Sequence, residues 1–479
     1  MAEEHVAATP EKAAAASKTF TWRAGEQALQ YDATAETVEC LARDGAKLGD
    51  MFCLSFVVPR NPNAPRPVTF CYNGGPGSSS VPIDFGGFGP RILAESPDLA
   101  HLSTPWPVVD NPHTPLPVTD LVFMDALGTG YSTVEKGKEA EVWCVDGDAK
   151  AFAAGIAAWL TAHGRWGSPV YLMGESYGTV RNAVLVRMLQ EQGVGVAGVV
   201  MVSALFDWSQ TLPGNVLYYA GLLPTYAACA QWFGRAGQGE DPDEFFERAC
   251  RWAGEQLAPA LLLGDAVAPE RERELAGQMA ELVGVSEQWL LERHLRVELE
   301  DFRQELLRDE GKVVGRLDMR HWTWLDQPVQ LNGDHIAAED PADDATNSAC
   351  VAAFRAFLQE LGYEGPSVYL DNNYEKVNKD WKFAHQAPGV LDTGMAPNVA
   401  YDLATAMRRA PRMRVCLIGG RYDAATPWWN VEQTLANLYL PTELKANIEG
   451  HLYGCGHMAY YDADTNAAMG AMLRDWYQK

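Results

Sequence analysis

The sequence has no apolar run near the ~20 residues that cross a bilayer, and its first eighteen residues lack the apolar core of a secretory signal. It has no N-x-[Ser/Thr] glycosylation site and no Cys-x-x-Cys pair. Its nine cysteines stand singly, at 40, 53, 71, 144, 229, 250, 350, 416 and 455. The odd count, and the apolar runs around Cys71 and Cys416, favour buried free thiols over a disulfide framework. Positive charge is scarce: 38 Lys and Arg face 63 Asp and Glu, for a formal net charge of −25. That balance disfavours nucleic acid and anionic membrane surfaces as partners. The chain as given is expected in the cytoplasm, with secretion the alternative for a trimmed N-terminus. No His-Glu-x-x-His or clustered Cys/His spacing occurs, so no metal and no cofactor is expected.

What is present is an ordinary globular composition, 47% apolar and 21% charged over 479 residues, enough for a large α/β domain with a sizeable insertion or for two or three domains. Residues 1–18 read as a disordered tail. Alternating stretches at Thr19–Arg23, Gln27–Tyr31 and Leu48–Val58 predict an antiparallel meander. Short apolar runs at 68–72, 121–125, 169–173 and 198–203 alternate with helical patterns at 146–163 and 179–192, which points to a mostly parallel sheet. From about 205 to 377 the alternation stops and helical, Trp-, Arg- and Glu-rich runs such as 269–283 and 286–308 follow. The sheet pattern resumes at 412–418 and 446–453, before a last amphipathic helix over 464–477. The expected division is therefore a core over 19–205, a helical cap insertion over 206–377, and the rest of the core over 378–479.

The chain is organised around Tyr171-Leu-Met-Gly-Glu-Ser-Tyr-Gly178. The pattern G-x-S-x-G between an apolar run and a helical run predicts a nucleophile elbow, which lifts the Ser176 hydroxyl above the sheet edge. Gly174 and Gly178 are steric requirements of that turn. Asn73-Gly-Gly-Pro-Gly-Ser-Ser-Ser80 also follows an apolar run, but it lacks the Gly-Lys-[Ser/Thr] of a phosphate loop. In the α/β-hydrolase plan such a loop gives one oxyanion donor and the residue after the nucleophile gives the other. A serine needs a base, and the base an orienting acid, in the chain order Ser, Asp or Glu, His. Asp423 follows the 412–418 strand, and His457 sits between glycines before the last helix. Asp402 and Asp392 are the rival acids; His451, His385 and His335 are the rival bases.

Together, Asn73-Gly-Gly-Pro-Gly, Gly174-Glu-Ser-Tyr-Gly, Asp423 and Gly456-His457-Met458 resemble the serine carboxypeptidase family, in its bacterial-type branch. Asn111-Pro and Leu121–Ser132 resemble further blocks of it. The resemblance implies an α/β-hydrolase fold with a triad of Ser176, Asp423 and His457. It implies an oxyanion hole from the backbone N–H groups of Gly75 and Tyr177, each donor worth about 3 kcal/mol. It further implies that Asn73, the Gly74 backbone and Glu175 hold the terminal carboxylate of a peptide substrate. Glu175 would then carry a proton when substrate binds, since two facing carboxylates repel. Relatives often supply a second glutamate to share that proton, but the matching position here is Gly87. The usual cysteine after the loop is replaced by Ser78. Arg181, one turn past the elbow, also departs from the common pattern, and could neutralise a carboxylate or serve as a surface or helix-packing residue.

The expected function is a serine carboxypeptidase acting on peptides with a free C-terminus through an acyl-enzyme. A serine esterase or acyltransferase on the same fold is the alternative, because fold and triad do not fix the acyl acceptor. A silent, hydrolase-like binding protein is a third class, opposed by the intact set Ser176, Asp423 and His457.

Overall fold

The computed structural model describes residues 13–59, 65–94, 106–325, 340–389 and 396–479. The backbone of the fold is one twisted sheet. Its long strands are β1 (Ala16–Ala24), β2 (Gln27–Leu41), β3 (Lys47–Val57), β4 (Val68–Tyr72), β5 (Asp120–Met124), β6 (Val170–Glu175), β7 (Val196–Val202), β8 (Arg414–Gly420) and β9 (Ile448–Tyr453). They lie in the order β1-β2-β3-β5-β4-β6-β7-β8-β9. The first three are antiparallel and β3 pairs antiparallel with β5. From β5 to β9 every pairing is parallel. Burial follows this split. The central strands β4 and β5 are buried at every position, as parallel strands covered on both faces must be. In β2, Tyr31, Ala33 and Ala35 are buried while their neighbours are more open. β1 begins at Ala16, where Ala16 pairs with Ala35, so the tail expected over 1–18 is too long at its inner end.

Helices cover both faces. On one lie α1 (Val145–Ala162) and α2 (Tyr177–Glu191), with Trp159 of α1 edge-on to Phe70 of β4 at 5.5 Å. The region after β7 contains α3 (Val216–Trp232), α4 (Pro242–Trp252) and α5 (Pro269–Val283), with a small ribbon of Lys312–Val314 and Trp322–Trp324. Their ends carry ordinary signals. Asp241 caps α4 by accepting from the N–H groups of Asp243 and Glu244, and Gly284 closes α5 in the left-handed conformation. The run expected to be helical over 286–308 is broken instead. A short helix, Glu287–Leu291, ends, His294 and Leu295 take positive φ, and Leu299–Glu305 begins a new one.

The expected cap over 206–377 is not one unit. Its last helix, α6 (Pro341–Leu361), lies on the opposite face of the sheet, where Phe354 and Phe357 meet Phe52, Phe56 and Phe85. Each such buried aromatic contributes roughly 2–3 kcal/mol. Three more helices complete the core: α7 (Ala400–Arg409), α8 (Trp428–Ala436) and α9 (Ala463–Gln478). On the same face as α6, Trp476 and Tyr477 of α9 pack on Tyr171 of β6. Among the described residues no helix is long and apolar enough to cross a membrane.

One buried histidine ties three helices together. His385 lies with Nδ1 2.7 Å from Asp146 of α1 and Nε2 2.8 Å from Asp402 of α7, while Arg187 of α2 reaches Asp402 at 2.6 Å. Burial pulls the imidazole pKa down, but the hydrogen bonds and charges of the two carboxylates outweigh it and hold it at about 9. In an unfolded chain a histidine titrates near ~6.5. The stabilisation is therefore complete below ~6.5 and is lost as pH rises from there through about 9. Urea unfolding should show stability falling by on the order of 3 kcal/mol across that window. His385→Gln should flatten the fall; an equally steep decline in the variant would remove His385 as its source.

Candidate active site

Strand β6 ends on Glu175, and Ser176 follows with φ 56° and ψ −125° before α2 starts at Tyr177, two residues earlier than the sequence pattern placed it. A non-glycine residue at positive φ is strained, and the surroundings hold it there. The Ser176 N–H donates to Val202 O of β7 at 3.0 Å, and the Thr179 N–H and hydroxyl donate to Ser176 O at 2.8 and 2.7 Å. The turn closes only without side chains. A Cβ on Gly174 would lie 2.2 Å from Gly178 O, and one on Gly178 would lie 3.0 Å from Tyr72 O. The glycine-rich loop leaves β4 and meets the elbow at once. A Cβ on Gly74 would sit 2.3 Å from the Tyr177 nitrogen, and Gly75 has φ 101°. The loop residues Gly74 and Gly75 and the first residue of α2, Tyr177, thus share one small region.

Asp423 and His457 arrive on the loops after β8 and β9. His457 Nδ1 lies 2.8 Å from Asp423 Oδ2. The other Asp423 oxygen accepts from the N–H groups of Ala425 and Thr426 at 2.8 and 2.9 Å, and the Thr426 hydroxyl donates to Oδ2 at 2.6 Å. Burial pushes the Asp423 carboxyl up, but the His457 charge and the hydrogen bonds from His457 and Thr426 together hold it below its ordinary value. Burial pulls His457 down, and the Asp423 charge and hydrogen bond, with the Glu175 charge, more than reverse this. His457 Nε2 faces Glu175 Oε1 at 3.4 Å, and among the described residues no hydrogen bond joins it to the Ser176 hydroxyl.

A strip from the inserted region fastens the two loops. Arg316 O accepts from the Ala424 N–H at 3.1 Å, Leu317 O from the His457 N–H at 2.6 Å, and the Met319 N–H donates to Tyr422 O at 3.0 Å. Arg320 donates to Gly454 O at 2.8 Å.

Asn73 and Glu175 are both buried and joined, Asn73 Nδ2 donating to Glu175 Oε2 at 2.6 Å. The amide is oriented because its Oδ1 accepts from the Ile83 N–H at 2.8 Å. Arg181 is not on the surface; it packs between α1 and α2 and meets a carboxylate there. It is buried, pairs with Asp148 at 2.7 Å and donates to Asn73 O at 2.8 Å, so it fixes the loop from beneath. Gly87 lies in the buried segment Asp84–Phe88, and its missing side chain has a visible cause. A Cβ there would lie 2.7 Å from Tyr460 Cγ, and one on Gly86 would lie 2.5 Å from Tyr461 Cε1. The Tyr460 hydroxyl lies 3.4 Å from Asn73 Nδ2.

Among the rivals, Asp402 and His385 bind each other, and His451 lies inside β9 opposite Ile418. Asp392 and His335 lie outside the described residues. Sequence reasoning missed Thr426, Asp148 and Tyr460. The signals were a hydroxyl three residues after the acid, a carboxylate early in α1, and Tyr460-Tyr461 matched by Gly86-Gly87. Gly74→Ala should move the loop off the elbow and cost about 1–3 kcal/mol, read as a lowered Tm. An unchanged Tm would mean that the two backbones are not held in contact.

No curated protein sequence matches the chain. Among solved structures, it is similar to a prohormone-processing carboxypeptidase from Saccharomyces cerevisiae, at 12% identity and a TM-score of 0.53, covering 98% of this chain and 91% of that one. It also matches proline iminopeptidase from Mycobacterium smegmatis, at 13% identity and a TM-score of 0.36, covering 96% and 98%. The chain has the α/β-hydrolase fold, and residues 45–194, which carry the glycine-rich loop and the serine elbow, match the family model of serine carboxypeptidase.

Proposed function

We propose that the protein is a serine carboxypeptidase that removes C-terminal residues from peptides through an acyl-enzyme. The observation that carries the reading is the buried Asn73–Glu175 pair immediately before Ser176, with Glu175 Oε1 3.4 Å from His457 Nε2. A hydrolase of esters has no need for an acid-and-amide pair beside its nucleophile; a site for a terminal carboxylate does.

In this mechanism Ser176 Oγ attacks the carbonyl carbon of the last peptide bond while His457 Nε2 takes its proton. Asp423 keeps Nδ1 protonated and steadies the imidazolium as it forms. The N–H groups of Gly75 and Tyr177 receive the oxyanion, each worth about 3 kcal/mol in the transition state. Collapse of the adduct breaks the C–N bond, and the imidazolium gives its proton to the departing amine. Water then enters, His457 removes a proton from it, and the acyl group leaves Ser176 as a carboxylic acid. Until the amine departs and carries it away, the terminal carboxylate rests on Asn73, the Gly74 N–H and protonated Glu175. Peptides with a free terminus are therefore the substrates, and blocked termini are poor ones.

The test compares an N-blocked dipeptide acid, its C-terminal amide and a simple ester on the protein and on Ser176→Ala. The acid should be preferred, and the substitution should lower its kcat/KM by roughly 10⁴–10⁶-fold. Ester hydrolysis without cleavage of the acid would leave the esterase or acyltransferase reading, which Gly87 favours by offering no second carboxyl. In pH profiles, ester turnover should rise through the pKa of His457, which burial opposes but Asp423 and Glu175 raise above its ordinary value. The acid-to-ester ratio of kcat/KM should fall as pH rises and Glu175 ionises. A ratio flat from acid to neutral pH would count against Glu175 as a carboxylate holder.

A further inference from the structure

The Gly86-Gly87 pair and the Tyr460-Tyr461 pair fit each other as gap and filling. Tyr460 is buried, its ring edge-on to Phe88 at 5.8 Å and to Tyr461 at 4.9 Å, and the ring occupies the space a side chain at Gly87 would need. It stands in the turn Ala459–Tyr461, three residues after His457, so its position is tied to that of the imidazole. Its hydroxyl accepts from Asn73 Nδ2 at 3.4 Å, on the side of the amide that also faces Glu175. Asn73 cannot turn away, since Ile83 holds its oxygen. A phenol hydroxyl both accepts and donates, whereas an ionised carboxylate only accepts.

We propose that Tyr460 is a substrate-binding residue whose hydroxyl donates a hydrogen bond to the terminal carboxylate of the peptide, beside Asn73 and Glu175. This rests on the carboxypeptidase reading for its substrate and adds a group that the resemblance does not supply. The chemistry differs from that of a second carboxyl over the same spot. A carboxyl must be protonated to donate to an anion, and it shares that proton with its neighbour. The phenol is a neutral donor that brings no negative charge towards the incoming carboxylate. Tyr460 then supplies acid-over-amide discrimination by a hydrogen bond to a charged group.

The test reads binding apart from catalysis. Ser176→Ala and the double variant Ser176→Ala/Tyr460→Phe are titrated with an N-blocked dipeptide acid and with its C-terminal amide. Tyr460→Phe keeps the ring on Phe88 and Tyr461, and a thermal melt checks the fold. The acid-to-amide affinity ratio should fall about tenfold on loss of a hydrogen bond to a charged group. With Ser176 present, KM for the acid should rise more than kcat falls. Gly87→Ala, whose Cβ must push the ring aside, should change the ratio in the same direction and covers the case of a poorly folding Phe variant. An unchanged ratio, an equal loss for acid and amide, or no preference for the acid in Ser176→Ala would each overturn the proposal. A ratio that falls as expected in a protein that cleaves no peptide would keep Tyr460 as a carboxylate-binding residue and reject the carboxypeptidase reading alone.

Discussion

The site depends on two stretches of backbone touching where side chains are absent. Gly74 lies against the Tyr177 nitrogen, and Gly174 against Gly178, so the loop after β4 and the elbow after β6 share a volume no larger alphabet could fill. That contact fixes Ser176 at a φ it would not choose alone. The strain is balanced by ordinary bonds, from Ser176 N–H to β7 and from Thr179 back to Ser176 O. Neighbouring parallel strands β4, β6 and β7 hold these partners in register, and this is why the site stands at the carboxyl ends of the strands.

A chain with a net charge of −25 still keeps several carboxylates inside, and four of them are answered by an arginine or a histidine. Asp120 meets Arg165 and Arg66, Asp148 meets Arg181, Asp402 meets Arg187 and His385, and Asp423 meets His457. Buried ions of this kind are costly unless paired, and pairing fixes geometry more surely than it adds stability. Arg181 illustrates the gain. By binding Asp148 and Asn73 O together, it connects α1, α2 and the glycine-rich loop through one guanidinium.

The fold class was legible because its signals are local. Fully buried strands read as apolar runs, and the elbow and the Asp423 and His457 loops read as short motifs in chain order. What could not be read depends on partners remote in sequence. Phe354 and Phe357 look like any helical apolar stripe until Phe52, Phe56 and Phe85 are seen opposite them, so α6 was assigned to the cap. The break at His294 and Leu295 carries no glycine or proline to announce it. Gly87 read as a missing carboxyl, because only the distance to Tyr460 reveals that the space is filled. Arg181 is open, in sequence, between neutralising a carboxylate and a surface or helix-packing role, and only Asp148 and Phe152 of α1 beside it show that it packs and pairs at once.

The strip from Arg316 to Arg320 gives the inserted region a second meaning. Arg316, Leu317 and Met319 bond to the loops of Asp423 and His457 through main-chain atoms and Arg320 through its guanidinium, so the strip is sensitive to its length and path and, at Arg320, to its side chain. Here part of the inserted region is bonded to both loops that carry Asp423 and His457. A change of length in the strip would therefore displace the loops of Asp423 and His457 together.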